Sequence, residues 1–280
     1  MKESTKKNQN NQVHLYGYIN GVRMNEYGEE GKKKTAIHLD VCTLEQYRDK
    51  NNEFQTKRTY HDVTVFSDDP KVIEQFKAIA ADCEKNEANR NVEGFKPETH
   101  SISMDGILVN KNDSRDLQIV ASPDSIDLDA KQAQEEVRNS TKLVGNIAKI
   151  ALHEDKKFAV VTLIHHYRPE GAEKDFETTV DIRVNGDRAF SKKAYEAIVN
   201  GELGKGDFVR MGGQLHNNRY ETEKGTKYGV NLDLTSFEML KKKEAVKEEV
   251  KEAPAKKAEP KKETKAAKKA TSRKKMGIKA

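Results

Sequence analysis

The sequence predicts a mainly β protein with two tandem five-stranded barrels, one helix in each barrel and a disordered Lys-rich tail. Three observations support this fold class. Segments in which apolar and polar residues alternate recur along the first 240 residues, as expected of half-buried strands. These segments come twice in the same order. The residues after position 241 have almost no large apolar side chain, so they cannot bury enough apolar surface to fold alone.

A weak internal repeat relates the two predicted barrels. Val13–Ile19 resembles Thr141–Ile147, and Ser103–Leu108 resembles Arg210–Leu215. A glycine inside a strand can mark a sharp bend at the corner of a barrel. Each of these segments contains such a glycine, and two matched pairs in the same strand order favour a duplication over unrelated bends. The matched residues are Gly17 with Gly145 and Gly106 with Gly213.

Each element of the first half has its own sequence signal. Alternation predicts the strands, Asn51-Asn52 is typical of the turn between the second and third strands, and Asp69-Pro70 is typical of a helix start. The predicted elements are strands Val13–Ile19, Thr35–Thr43 and Thr59–Phe66, helix Lys71–Glu84, and strands Ser101–Asn110 and Leu117–Ala121.

The second half repeats this order, with Ser191 placed to cap its helix. Five strands with one helix between the third and the fourth is the order of an OB-fold, a small Greek-key barrel. The predicted elements are strands Thr141–Ile147, Lys157–Tyr167 and Thr178–Asn185, helix Lys192–Asn200, and strands Phe208–Asn217 and Lys227–Leu234.

The domain boundaries follow from these elements. We expect a disordered N-terminus at 1–12, a first OB-fold at 13–128, a linker at 129–139, a second OB-fold at 140–241 and a disordered basic tail at 242–280. The length of 280 residues suits two domains of ordinary size. No apolar run approaches the roughly 18 residues of a membrane helix, and the polar start is unlike a signal peptide.

The net charge of the chain is unevenly distributed. Residues 241–280 hold 16 Lys or Arg and 6 Glu, a balance of +10, whereas the whole chain carries +5, so residues 1–240 carry −5. A disordered basic segment can bind polyanions regardless of their sequence, or it can serve only as a solubilising tail. The clustering of its Lys and Arg residues favours the first interpretation.

The polar hairpin between the second and third strands points to a binding function. Residues 47–66 read YRDKNNEFQTKRTYHDVTVF and place aromatic rings among Lys and Arg, where no core could cover them. Tyr60 and Phe66 share a parity along their strand and point to one face, whereas Val63 and Val65 point to the other face as core. Phe66 could alternatively close the end of the barrel.

Four segments together resemble the bacterial-type single-stranded DNA-binding proteins, over roughly residues 13–240. Their order and spacing are more specific than any one segment. In the family, the two hairpin positions held here by Tyr are usually Trp, and the third position is Phe. The segments are LVGN at Leu143–Asn146, YRDK at Tyr47–Lys50 with Tyr60-His61 and Phe66, the KGD.V...G.L pattern from Lys205 to Leu215, and YGVNLDLTSFEML at Tyr228–Leu240.

The resemblance implies a tandem OB-fold protein that binds single-stranded DNA without sequence preference. Aromatic rings would stack on bases, and neighbouring cations would contact phosphates. Phe54 would be a further stacking ring or merely an exposed side chain. The implied contacts in the first half are Tyr47, Arg48, Lys57, Arg58, Tyr60 and Phe66.

The second half keeps a different subset of the family's residues. Tyr167-Arg168 matches the YR pair of the first hairpin, but Thr179 and Asn185 stand where the second and third aromatics are expected. Tyr220 matches another family aromatic that the first half lacks. We therefore expect the two halves to bind unequally, with stronger stacking on the first. The implied contacts here are Tyr167, Arg168, Arg219, Tyr220 and Lys227.

No catalytic or metal-binding constellation is predicted, so we expect neither an enzyme nor a cofactor. Gly204–Asp207 lacks the glycine spacing and the Ser or Thr of a phosphate-binding loop. His165 and His166 are adjacent on a strand and face opposite sides, so they cannot easily share a metal. Cys42 and Cys83 stand outside any metal-ligand spacing, and buried reduced thiols fit a cytoplasmic compartment.

The resemblance also implies partners besides single-stranded DNA. Family members commonly work with four OB-folds, so a chain with two would form a homodimer. Replication or repair proteins could join it, but not through the family's acidic tip, because this chain ends in a basic stretch. RNA or duplex DNA could bind through the tail. The expected location is the cytoplasm, at the nucleoid or, for a phage protein, in the host.

Two other interpretations remain open. An OB-fold could hold RNA or a protein partner in a replication complex. Alternatively, the tail could coat duplex DNA while the barrels only oligomerise. That second interpretation predicts equal affinity for duplex and single strands, and indifference to Tyr47→Ala and Tyr60→Ala. A metal-dependent nuclease is the least favoured interpretation.

Overall fold

The computed structural model of the chain describes residues 10–29, 33–111, 114–128, 130–131, 138–168, 173, 175–222 and 225–243. Within 219–222 and 225–228 only the backbone is described. Residues 1–9 of the expected disordered N-terminus (1–12), residues 244–280 of the expected basic tail (242–280) and most of the expected linker (129–139) lie outside these residues. Neither helix in the described part is long and apolar enough to cross a membrane.

The first barrel is a closed ring of five strands with one helix. Its elements are β1 (Asn11–Tyr27), β2 (Lys34–Arg48), β3 (Phe54–Ser67), α1 (Pro70–Asn89), β4 (His100–Asn110) and β5 (Leu117–Leu128). β1 pairs antiparallel with both β2 and β4, and β2 pairs with β3. β3 runs parallel to β5, which pairs with β4 and so closes the ring.

The second barrel has the same connections. Its elements are β6 (Asn139–His153), β7 (Phe158–Tyr167), β8 (Phe176–Asn185), α2 (Lys192–Val199), β9 (Phe208–Thr222) and β10 (Gly225–Lys241), with a 3-10 turn at Glu154–Lys156. β6 pairs with β7 and β9, β7 pairs with β8, β8 runs parallel to β10, and β10 pairs with β9. Both halves are therefore OB-folds, which confirms the predicted fold class.

The ends of several elements differ from the prediction. Asn11 and Gln12 belong to β1 rather than to a disordered N-terminus, and Asn139 begins β6 rather than ending a linker. At the other end, the backbone N–H of Lys243 donates to Asp207 at 2.8 Å, and Lys242 also lies near that carboxylate, so these two residues of the expected tail contact the second barrel.

The helix starts show one predicted cap and one correction. Asp69 accepts a hydrogen bond from the backbone N–H of Lys71 at 2.8 Å, as an N-cap should. Ser191 precedes α2, but its hydroxyl donates to the carbonyl oxygen of Asn185 at 2.6 Å instead of accepting from the helix. Ser191 therefore ties α2 to the end of β8 rather than capping it.

Strand glycines mark places where two strand backbones approach closely. A Cβ at Gly17 would overlap the carbonyl oxygen of Cys42, and one at Gly145 would overlap that of Ile164. The two glycines thus occupy equivalent positions, which also makes Cys42 equivalent to Ile164. The predicted Gly106 and Gly213 pair meets the backbones of Val120 and Asp233 in the same way. The four glycines are required by these contacts.

The inward-facing side chains of the two barrels form the core. Alternation along each strand puts one face inside, so the buried residues recur at every second position. The largest fully buried side chains are Leu15, Ile37, Leu39, Phe76, Ile102, Met104, Leu108 and Ile119 in the first barrel, and Leu143, Ile147, Leu163 and Ile182 in the second.

The two barrels join along their first strands. β1 pairs antiparallel with β6 from Asn11 opposite Leu143 to Leu15 opposite Asn139. Each asparagine also uses its buried side-chain amide to satisfy a strand backbone. Asn11 exchanges two hydrogen bonds with Leu108, and Asn139 exchanges two with Leu215. The same bonds therefore recur in both barrels on either side of the β1–β6 pairing. This arrangement has an approximate twofold symmetry, in line with the predicted duplication.

Candidate nucleic-acid interface

The β2–β3 hairpin of the first barrel is a rigid arm rather than a loose loop. Asn52 takes the left-handed conformation, with φ at 65°, at the predicted turn. Asp49 accepts backbone N–H bonds from Asn51 and Glu53 through its side chain. The bond from Glu53 is the main cause of the lowered pKa of Asp49. Local hydrogen bonds therefore fix the turn.

Aromatic rings line the outer face of the first barrel. Tyr60 and Phe66 are 43% and 44% exposed, while Val63 and Val65 between them are buried in the core, as the strand parity predicts. Tyr27, at the end of β1, packs edge-on against Phe66 with ring centroids 5.7 Å apart. Phe66 is therefore half exposed beside Tyr27 and shares the outward parity of Tyr60 along β3, and we call these three rings the aromatic face.

Two more aromatics stand toward the tip of the hairpin. The β2–β3 register places Phe54 opposite Arg48, on the face of Tyr60, and Tyr47 opposite Gln55, on the other face. The guanidinium of Arg48 lies 3.9 Å over the ring of Phe54, and Phe54 is 69% exposed. Arg48 is itself held by the carbonyl oxygen of Asn52 at 2.9 Å. The tip thus presents a preformed cation–π pair.

The two predicted hairpin cations lie on different faces. Arg58 shares the parity of Tyr60 and is exposed beside it. Lys57 points the other way, where its ammonium donates to Nδ1 of His216 in the second barrel at 2.9 Å. Of the two, Arg58 is placed to contact phosphate beside the aromatic face, whereas Lys57 is engaged between the barrels.

The second barrel reaches the aromatic face at Tyr60. Asn217 of β9 accepts a hydrogen bond from the backbone N–H of Tyr60 at 2.6 Å and donates to its carbonyl oxygen at 2.9 Å. We call this contact, together with Lys57 and His216, the first junction. A groove of about 630 Å³ lies beside it and is lined by both barrels. Its lining includes Arg23, Asp62 and Lys111 of the first barrel, and Asn217, Gly229 and Val230 of the second.

The charges in this groove are mixed. Burial, and then the charge of the cross-strand neighbour Asp62, raise the pKa of Asp40, which Arg23 partly opposes. Lys111 forms an ion pair with Asp62. The groove therefore combines cations that suit phosphates with carboxylates that suit the amino groups of bases.

Buried histidines lie under the first junction. His61 is 2% exposed, and burial lowers its pKa to about 3, with His216 contributing. Its Nε2 lies 2.9 Å from the hydroxyl of Thr43. Burial and then the charge of Lys57 lower the pKa of His216 as well, against the opposing effect of Asp233. Both rings are therefore neutral at pH 7.

The second junction mirrors the first. Asn110 of β4 donates to the carbonyl oxygen of Thr179 at 3.0 Å and accepts from its backbone N–H at 2.6 Å. Thr179 pairs with Ile164 as Tyr60 pairs with Cys42, so Thr179 and Tyr60 are equivalent, as predicted. The outer face of the second barrel thus has a hydroxyl where the first has a ring.

The register corrects the predicted match of Tyr167. Tyr167 lies opposite Phe176, which comes three residues before Thr179. In the first barrel, the residue three positions before Tyr60 is Lys57, and it lies opposite Glu45. Tyr167 is therefore equivalent to Glu45, not to Tyr47. Its ring packs against both Phe176 and His165. Its predicted neighbour Arg168 forms an ion pair with Asp175 at 2.7 Å.

The remaining predicted contacts lie on the long β9–β10 hairpin. Its backbone pairs Tyr220 with Lys227 and Arg219 with Tyr228. The side chains of Arg219, Tyr220 and Lys227 lie outside the described residues, so their role stays a prediction.

Several residues of this interface were not predicted. Tyr27 and Arg23 lie beyond the predicted end of β1, although the alternation of Val22 and Met24 could have extended that strand. Phe176 follows the β7–β8 connection, which is longer than the β2–β3 turn, so counting along the chain did not identify Tyr167 as its cross-strand partner. Asn217 sits in an ordinary strand pattern, and only its match with Asn110 in the repeat signalled it.

The described residues contain no group of three or more His, Cys, Asp or Glu side chains that could hold a metal ion. His165 is buried and His166 exposed, on opposite sides of β7 as predicted. Cys42 and Cys83 are free, and burial raises the pKa of both thiols.

The chain is similar in fold to solved structures of single-stranded DNA-binding proteins. The wild-type protein from Thermus aquaticus is 18% identical with a TM-score of 0.48, and the match covers 84% of this chain and 95% of that chain. A small single-stranded DNA-binding protein from Mycoplasma pneumoniae is 19% identical with a TM-score of 0.28, covering 38% and 97%. The Plasmodium falciparum protein, in complex with single-stranded DNA, is 18% identical with a TM-score of 0.27, covering 44% and 96%.

No protein-family model matches the chain, and no curated protein matches it.

Proposed function

We propose that this protein binds single-stranded DNA without sequence preference, and so coats and protects it during replication, recombination or repair. The observation that carries the proposal is the half-exposed aromatic face of Tyr27, Tyr60 and Phe66 on the first barrel. Each base has a flat face that such rings can stack on, at about 1–3 kcal/mol per base. Duplex bases are already stacked and cannot offer that face.

The mechanism is passive binding. Bases stack on Tyr60, Phe66 and the Arg48–Phe54 pair, while Arg58 and the long β9–β10 hairpin contact the backbone. Coating keeps separated strands from pairing again and shields them from nucleases. No bond is made or broken, and no cofactor is needed.

The assembly we propose is a homodimer with four OB-folds, located in the cytoplasm with the DNA. Replication or repair proteins are proposed partners. The domain limits are proposed at 11–128 and 139–243, with the basic tail beginning after Lys243.

A second candidate function rests on the charge balance of +10 in residues 241–280. A basic tail alone could hold duplex DNA or RNA through phosphates, independently of the barrels. The two candidates differ in which part of the chain discriminates between single and double strands.

Fluorescence anisotropy separates them. Labelled oligo-dT and a matched duplex are titrated with the full chain and with a truncation ending at Lys243, which keeps the contacts of Lys242 and Lys243 to Asp207. The proposal predicts that the truncation still strongly prefers oligo-dT. If the truncation binds neither oligo-dT nor the duplex, and the full chain binds both with equal affinity, the tail carries the affinity.

A further inference from the structure

A second aromatic group stands on the second barrel, away from the position that holds Tyr60 in the first. Tyr167 and Phe176 are directly opposed at the open end of the β7–β8 pair. Their ring centroids are 5.8 Å apart, with planes tilted by 33°. Phe176 is 49% exposed. A large apolar ring is therefore presented to solvent on a paired strand, not on a loose loop.

Tyr167 supports this ring from a fixed position. Its own ring is parallel to that of His165, within 8°, at 5.8 Å. His165 is buried, and its Nδ1 donates to the carbonyl oxygen of Val144 at 2.7 Å. Burial also raises the pKa of Tyr167. The order His165, Tyr167, Phe176 runs from the core to the surface, so the exposed ring needs no ordering when a base arrives.

Another ring of this barrel makes a useful contrast. Phe158 stacks on His153 at 4.6 Å, and the guanidinium of Arg183 lies 4.8 Å from its centre. Phe158 is engaged by two flat groups and is only partly exposed, which describes a packed side chain. Phe176, by contrast, contacts the single ring of Tyr167, and 49% of its surface is exposed.

The face of Phe176 leads toward the first barrel. Thr178 shares its parity and is fully buried, where its hydroxyl donates to the carbonyl oxygen of Leu108 in β4. The next residue, Thr179, is held by Asn110. A strand that crosses from the first barrel over this second junction therefore passes Phe176.

We propose that Phe176, positioned by Tyr167, is a base-stacking platform of the second barrel, so that one single strand contacts both barrels. The equivalent pair in the first barrel is Lys57 opposite Glu45, and neither side chain is aromatic. The two barrels then offer rings at different positions, Tyr60 on one and Phe176 on the other, and a bound strand follows a path without twofold symmetry. This inference rests on the proposed single-strand binding.

The absence of tryptophan from the chain gives a direct test. Three full-length variants each carry one tryptophan: Phe176→Trp, Tyr60→Trp as the reporter for the first barrel, and Val199→Trp at the exposed end of α2 as the control. Each is titrated with oligo-dT long enough to span both barrels, and with an abasic oligomer of equal length. Stacking quenches tryptophan emission, whereas phosphate contact alone does not bring a base onto the ring.

The expected result is quenching of Phe176→Trp and Tyr60→Trp by oligo-dT only, with Val199→Trp unchanged. Phe176→Ala should then weaken oligo-dT binding about 5- to 150-fold, and Phe176→Tyr should restore it. Quenching of Tyr60→Trp without Phe176→Trp would overturn this inference and leave the proposed function standing. Quenching of neither would overturn both, and equal quenching by the abasic oligomer would exclude stacking at that ring.

Discussion

The side-chain amide of Asn217 in the second barrel holds both backbone polar groups of Tyr60 in the first. It accepts from the N–H of Tyr60 at 2.6 Å and donates to its carbonyl oxygen at 2.9 Å. Asn110 makes the same pair of bonds with Thr179 in the opposite sense. One barrel therefore positions the candidate binding ring of the other, and the two barrels are expected to act as one unit.

Removing this amide should loosen the platform without removing the ring. Each lost hydrogen bond costs about 0.5–1.5 kcal/mol. In a Tyr60→Trp background we expect Asn217→Ala to weaken oligo-dT binding and reduce the quenching of the tryptophan. Asn110→Ala, which breaks the equivalent bonds at Thr179, is the matched control and should leave that quenching unchanged. Equal loss from both variants would mean that the bonds serve only the stability of the body.

The strand glycines give a prediction for stability alone. Gly145→Ala would push a methyl group into the backbone of Ile164, which cannot move without breaking the β6–β7 pairing. Overpacking of this kind costs about 1–3 kcal/mol or more. Gly21→Ala is the control, because its new methyl group would meet only the Cβ of Asp40 at 3.8 Å. Urea unfolding should separate the two variants, and similar midpoints would contradict the close approach.

Acid should destabilise the protein through its buried histidines. The pKa of His61 is about 3 in the folded chain, below the usual 6.5, so between these values the unfolded chain binds more protons. The contribution of His61 to the free energy of unfolding is complete above pH 6.5. It is lost as the pH falls toward 3, by at most about 1.4 kcal/mol per pH unit. His216 shifts in the same direction. Unfolding free energies measured by urea at pH 7.5, 6.5 and 5.5 should therefore decline.

His61→Val isolates the contribution of His61. Val180 occupies the equivalent place in the second barrel, opposite Leu163 as His61 is opposite Val41, so the residue suits such a site. The variant should show a shallower decline than the parent between pH 6.5 and 5.5. An unchanged decline would place the acid sensitivity elsewhere.

Salt dependence should distinguish the two hairpin cations. A cation that contacts a phosphate adds about −0.7 to the slope of log K against log salt concentration for single strands. Arg58→Gln should reduce the steepness of that slope, because Arg58 is exposed on the aromatic face. Lys57→Gln should leave it nearly unchanged, because Lys57 is bonded to His216. If Lys57→Gln reduced the slope and Arg58→Gln did not, the bound DNA strand would run through the first junction instead.

Much of the fold could be predicted because the alternation of residues reports burial directly. Val63 and Val65 lie inside and Tyr60 and Phe66 outside, and Gly17 matches Gly145, as the sequence indicates. The strand ends could not be predicted as well. β1 continues to Tyr27 and β3 starts at Phe54, where the hairpins leave the barrel and neither face is buried. Without burial there is no alternation to follow.

The site could be predicted only in part. Tyr60 and its equivalence to Thr179 follow from the repeat, but Tyr167 does not match Tyr47, because the two hairpins differ in length and counting along the chain fails across a loop. The pairing of Tyr167 with Phe176 is set by the register of β7 and β8. The roles of Lys57 and Asn217 depend on contacts between barrels, about which a single strand pattern holds no information.

One measurement tests the central claim most directly. It compares the oligo-dT affinities of two variants, Tyr60→Ala and Thr179→Ala, each made in the truncation that ends at Lys243. Both residues occupy the same place in their barrels, and both have their backbone held by an asparagine of the other barrel. The account predicts that Tyr60→Ala weakens binding by about 1–3 kcal/mol while Thr179→Ala has little effect. Equal affinities for the two variants and the parent truncation would contradict it.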